Sequence, residues 1–438
     1  MQKPTVKQDQ AITLTSNHKN MNSSNDEYLK VSPSLMMLDD ALAQIKSTTK
    51  TVCALEDVNL QDGLGRTLGE DIISTVDVPP YDNSAMDGYA VFSSDLAKPP
   101  VRLPVTGRIA AGHPLQREAR PGETIRIFTG APLPLGPDSI VMQEKVTLDG
   151  DFAIFSETVK PGANRRLRGE NIKSGATILQ KGQLLRAQEI GLAAAVGISK
   201  LKVYKPLRVA VFSTGDEIVD CTIKKLQPGC IYDANRPLMI SLLQGLGCEV
   251  SDLGILHDDP NVISDALKKA STNHDLLITS GGVSVGEEDH VINIIKNLGA
   301  VHFWRLAVKP GKPVAFGTIN DTAFIGLPGN PVSAIVTLMM VARPMILRMA
   351  GRTDVAVNRY RAEADFTLQR DDGRLEWLRG KINISSDGRA LLSAFPAQGS
   401  GILSSMVASS GFIEIPAGRA RINKGDMLDF IPFNEAFK

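Results

Sequence analysis

A chain of 438 residues is too long for one hydrophobic core, so several domains are expected. Its 48 Lys+Arg offset 48 Asp+Glu, which argues against nucleic acid held by a generally basic surface and leaves anion binding to particular loops. Four dispersed cysteines without CxxC spacing and six histidines without HExxH argue against zinc chemistry or a disulfide framework, and suit a reducing, cytoplasmic setting.

The first 32 residues are polar and lack an apolar run, so they are expected to form a disordered extension rather than a signal sequence. From Ser34, a candidate N-cap, LMMLDDALAQIKS has helical spacing. Short apolar runs punctuated by Gly and Pro follow over about 100–160, a β-rich pattern. RAQEIGLAAAVG predicts a helix over 186–197, and Lys205-Pro206 a linker. Beyond it RVAVFSTG, CEVSDLGIL and DLLITSGG read as strands alternating with helices, the pattern of a doubly wound, mostly parallel α/β domain. Residues 355–438 read as a small β domain. The longest apolar stretch, Val332 to Ala342, ends at Arg343-Pro344, too short to span a membrane.

Sites in such a sheet lie at the carboxyl ends of its strands. There the sequence places Ser280-Gly281-Gly282 and Ser284, whose backbone can approach a phosphate, beside Glu217, Asp258, Asp259 and Asp289. Each acid alone reads most simply as a helix cap. Clustered beside a phosphate loop, such acids suit a hard cation such as Mg²⁺. Lys309-Pro310-Gly311-Lys312 adds two ammonium groups in a stiffened turn. Asn330-Pro331, ahead of Ser333, is a good helix start and a second anion seat. These features predict a phosphate-bearing ligand handled with a divalent cation and a small oxyanion.

Five stretches, PPYDNSAMDGYAV, RIFTGAPLPLGPDSIVMQE, VFSTGDEI, TSGGVSVGEEDH and LAVKPGKP…GLPGNPVSA, resemble the molybdopterin molybdenumtransferase family, which includes the E domain of gephyrin. The resemblance covers the chain from about residue 33 and implies a multidomain α/β and β fold. Its parts are a connector domain (33–76 plus 173–205), a β-rich domain inserted into it (77–172), the α/β domain (206–350) and a C-terminal β domain (355–438). It implies insertion of molybdate into adenylylated molybdopterin with release of AMP, and an elongated homodimer. It also brings in an upstream adenylyltransferase as a candidate partner, with no nucleic acid and no membrane.

By the same resemblance, Asp258 and Asp289 lie near Mg²⁺, with Glu217 beside them. Lys309, Lys312 and Ser333 bind the oxyanion, with Arg379 and Ser400 of the C-terminal domain. Asp87 and Thr129 reach the site from the partner subunit. Two positions depart from the family pattern: Asn171 stands where an acid is common, and Arg305 where many bacterial members have Lys. The competing expectations are a molybdopterin adenylyltransferase, which shares only the α/β domain, and a non-enzymatic scaffold.

Overall fold

The computed structural model describes residues 35–437 apart from 224, 258, 283–289 and 371–372. The expected polar extension and the Ser34 cap lie outside the described residues.

The connector pairs the two ends of a long excursion. Leu55–Asn59 runs antiparallel to Lys200–Tyr204, and Ile72–Ile73 to Thr177–Leu179. A bridge between Val78 and Ile172 closes the base of the inserted segment. That segment holds a six-stranded sheet in the order 139–142, 88–91, 124–127, 101–109, 152–155, 146–149.

The first helix, α1 (Leu38–Thr48), departs from the connector assignment made from sequence. Its buried residues Leu38, Ala41 and Ile45 join the core of the α/β unit, among Met349, Ile346 and Phe316. Main-chain bonds between Met36 and both Arg305 and Ala307 pin the approach. The apolar face went to the larger core because burial scales with the area available there. Helix α2 (Ala187–Ala195) does pack with the connector.

The α/β unit is built on β1 (Arg208–Thr214), β2 (Glu249–Leu256), β3 (Leu276–Ser280), β4 (Gly299–Arg305), β5 (Pro313–Ile319) and β6 (Thr322–Leu327), in the order β2-β1-β3-β6-β5-β4. The first four in that order are parallel; β5 and β4 complete an antiparallel edge. Alternation along the strands serves two cores. Val209, Val211, Leu276 and Ile278 face helix α3 (Asn235–Gly245) through Met239 and Leu243. Ala210, Phe212 and Leu277 face α4 (Pro260–Asn273) and α5 (His290–Leu298) through Ile263, Leu267 and Ile295. Burial on both faces is why β1 and β3 read as unbroken apolar runs.

The apolar stretch is longer than the sequence suggests. Helix α6 (Pro331–Thr337) continues through a π-turn at Leu338–Ala342 into Arg343–Met349, rather than stopping at Arg343-Pro344. Pro344 lacks an N–H, and a wider π register absorbs the lost bond. The whole helix Pro331–Met349 has the length and composition to cross a membrane, but 83% of its most apolar window is buried inside the molecule. It is the central helix of the core.

In the C-terminal unit, Leu375–Ile384 pairs with both Ala390–Ala394 and Gly411–Ile415, closing a β-barrel with Tyr360–Ala364 and Met427–Pro432. The four cysteines are unpaired; Cys221 is exposed, and Cys53, Cys230 and Cys248 are half-buried.

Candidate active site

The turns after β1, β3 and β6 leave the sheet at one level. Ser213 stands beside Ser280, and Ser280 beside Leu327, in the parallel ladders. Gly281 and Gly282 have φ of +85° and +63°, backbone that favours glycine. A Cβ on Gly329 would lie 3.6 Å from the Gly281 Cα, so the two turns nearly touch.

Ser280 clamps them. Its buried hydroxyl donates to the Pro328 carbonyl at 2.9 Å and accepts from Asn235 Nδ2 at 2.8 Å. Asn235 Nδ2 also donates to the Gly329 carbonyl at 2.6 Å. The proton of Ser280 is therefore committed to the loop, which makes it a builder of the seat more than a contact for the ligand. Next to Asn235, the buried guanidinium of Arg236 ties Asp220 and Asp233 of the preceding loop to Asp252 of β2.

The acids are less gathered than their positions in the chain suggest. Glu217 is exposed and folds back over the first turn, where a Cβ on Gly215 would meet its Oε2 at 2.7 Å. Asp259 is a helix cap, accepting from the backbone N–H of Asn261 at 2.8 Å and Val262 at 3.3 Å. Asp258, Ser284 and Asp289 lie outside the described residues. Among the described residues no group of three His, Cys, Asp or Glu is placed to hold a metal.

The lysine turn packs on α6. A Cβ on Gly311, whose φ is +106°, would lie 2.4 Å from Thr337 Oγ1 and 3.6 Å from the Ser333 carbonyl. Ser333 itself is buried. Lys309 Nζ lies 2.9 Å from Glu376 Oε1 of the C-terminal barrel. Lys312 is half-buried and forms no ion pair with the described residues. Both ammonium groups were expected to face the oxyanion; one of them shares its protons with a carboxylate.

The C-terminal unit reaches the same helix. The Val332 N–H donates to the Ser400 carbonyl at 3.0 Å, so Ser400 meets the helix start through its backbone. Asn330 occupies the cap position without a side-chain cap bond. Arg379, 1% exposed, donates to Ser405 Oγ and to the Gly399 carbonyl, each at 3.0 Å. It forms no ion pair among the described residues, and burial lowers its pKa to about 10, so it stays charged at neutral pH.

Asp87 and Thr129 sit together in the inserted unit. Asp87 Oδ1 accepts from the Thr129 N–H and hydroxyl, each at 2.8 Å. The Thr129 N–H, first, and its hydroxyl hold the half-buried carboxyl below the usual range. Among the described residues no hydrogen bond or ion pair joins this unit to the α/β rim. Within one chain the two groups are separate constructions.

Sequence reasoning missed Asn235 and Glu376. Asn235 stood in a segment read only as a helix, and its opening Asn-Arg-Pro was the available signal. Glu376 lies in GRLEWLRG, three residues before Arg379.

Comparison with known proteins converges on one family. Residues 36–197 match the MoeA N-terminal region (domain I and II), 210–348 a probable molybdopterin binding domain, and 361–433 the MoeA C-terminal region (domain IV). A molybdopterin molybdenumtransferase from Haemophilus influenzae is 42% identical over 402 residues, covering 91% of this chain and 99% of that protein. One from Nostoc sp. is 35% identical over 381 residues, 84% of this chain and 87% of that one. A crystal structure of a molybdopterin biosynthesis moeA protein from Pyrococcus horikoshii superposes with a TM-score of 0.79 at 27% identity, covering 91% of this chain and 100% of that one. This chain belongs to the molybdopterin molybdenumtransferase family.

Proposed function

We propose that this chain inserts molybdate into adenylylated molybdopterin and releases AMP and molybdenum cofactor, working at the carboxyl edge of β1, β3 and β6. The observation that carries the reading is a convergence. Glycine turns clamped by Ser280 and Asn235, a lysine turn, and the Ser400 and Arg379 region of the barrel all meet around the start of α6 or the strand ends beside it. The Gly281 N–H is taken by the Leu327 carbonyl at 3.1 Å, which leaves the N–H of Gly282 in the same turn to suit a phosphate oxygen. Lys309, Lys312, Arg379, Ser333 and Ser400 suit a tetrahedral oxyanion, with molybdate as substrate.

Mg²⁺ fits the donor chemistry in kind. It takes one or two carboxylates and completes its shell with phosphate oxygens and water. Glu217, exposed and without an ion pair among the described residues, is such a donor, and Asp258 and Asp289 would complete the set. When bound, the ion would screen the pyrophosphate and stabilise charge on the departing AMP. This chain's residues seat the nucleotide phosphates on the glycine turns and hold molybdate against the dithiolene.

The separation of Asp87 and Thr129 from the rim supports a homodimer in which they serve the partner's site. A cytoplasmic setting and supply of substrate by an upstream adenylyltransferase complete the proposal.

The test is AMP release from adenylylated molybdopterin, with and without molybdate. Release that depends on molybdate supports the reading. Equal release without molybdate would overturn it, and consumption of ATP with molybdopterin would point to the adenylyltransferase instead.

A further inference from the structure

We infer that Glu376 of the C-terminal barrel is a positioning residue that holds the ammonium group of Lys309 at the oxyanion rim, an inference that rests on the anion site proposed above. The two residues are register partners: Val308–Lys309 runs parallel to Leu375–Glu376 as a two-residue ladder between the α/β unit and the barrel. Their side chains meet at 2.9 Å. The lysine side chain is 43% exposed and the glutamate 6%, so the pair has a fixed inner end and an open outer one.

The inner end is anchored. Glu376 Oε2 accepts from Arg370 Nη1 at 3.3 Å. Arg370 is fixed in turn by the carbonyls of Arg419 at 2.7 Å, Arg374 at 2.7 Å and Pro416 at 2.6 Å. With three carbonyl acceptors, Arg370 does not depend on Glu376 for partners. The second carboxylate oxygen goes to Lys309. An ammonium group carries three N–H donors. One bond to Glu376 orients the other two outward on a long stem that would otherwise sample many rotamers.

A carboxylate beside a site for a dianion is unfavourable by charge alone. Two roles for Glu376 therefore predict opposite signs. If it only sets local charge, removing it adds net positive charge and tightens the site; if it positions Lys309, removing it loosens the site.

The experiment uses the full chain and reads the molybdate dependence of AMP release together with the unfolding midpoint. Glu376→Ala is expected to raise KM for molybdate about tenfold, with kcat at saturating molybdate within about twofold. Glu376→Gln keeps an acceptor oxygen and loses the charge, so a rise of about threefold is expected; it carries the test if the alanine variant does not fold. In a Lys309→Ala background, Glu376→Ala should add no further loss, since the two act through one contact. An unchanged or lowered KM in the Glu376 variants overturns the inference. Lys309→Ala separates the two levels: if it leaves KM for molybdate unchanged, the anion site itself is misplaced, whereas if it raises KM and the Glu376 variants do not, only the positioning role fails.

Discussion

The N–H of Val332 donates to the carbonyl of Ser400 at 3.0 Å, joining the first turn of α6 to a loop of the C-terminal barrel. One backbone bond thereby places residues some seventy positions apart in the chain at a common rim. It also occupies one of the donors that a helix start offers to anions. In the proposed oxyanion site, side chains divide into those that build the seat and those that would touch the ligand.

Asn235 builds. Its amide donates both to Ser280 Oγ and to the Gly329 carbonyl. Asn235→Ala removes both bonds and is expected to cost about 1–3 kcal/mol in chemical denaturation. Asn235→Asp cannot donate and sets a charge against the Gly329 carbonyl, so a loss at least as large is expected. Wild-type stability in both variants would mean that the amide does not hold the turns together.

Arg379 touches. A buried guanidinium without a carboxylate partner is expensive to keep, and replacing it by an apolar side chain of similar volume is often neutral or stabilising. Arg379→Met is expected to stay within about 1 kcal/mol of wild-type stability, while KM for molybdate rises roughly tenfold or more. Unfolding of the variant with unaltered KM would assign Arg379 to the barrel core alone.

Asp87 and Lys309 test the shared site. At molybdate far below the raised KM of the Lys309 variant, Asp87→Ala and Lys309→Ala are each expected to be nearly inactive alone. In an equal mixture that exchanges subunits, half of the dimers are mixed, and each mixed dimer holds one intact site of two. Activity of about a quarter of wild type is therefore expected. No recovery after proven exchange would place both residues in the site of a single chain.

Glu123 sets an acid limit on the inserted unit. The hydrogen bond from Arg117 comes first among the causes that lower its pKa to about 2, with Thr106 and the Arg120 N–H adding to it. The folded value lies below the unfolded one, so the stabilisation is present above about pH 4.5 and disappears as pH falls through about 2. Glu123→Gln should lower stability by about 1 kcal/mol at neutral pH, since Arg117 is partly exposed. The difference between variant and wild type should shrink steadily below pH 4.5; a constant difference down to pH 2 would show that the charge is not its source.

The amino-acid order by itself determined the α/β alternation, because strands buried on both faces must be apolar throughout and helices need a repeating apolar stripe. It also determined the glycine turns at the ends of those strands, since glycine adopts the positive φ found at Gly281, Gly282 and Gly311 without the steric cost of a Cβ. Tertiary structure alone decided what each polar group near the rim is occupied with. Ser280 closes a loop, Asp259 caps a helix, Ser400 offers its carbonyl, and Lys309 leans on Glu376. The partners of these groups lie from two to nearly seventy residues away, and hydrogen bonding depends on distance and angle in space. Residue type states what a group can donate or accept, and only the packed chain fixes what it meets.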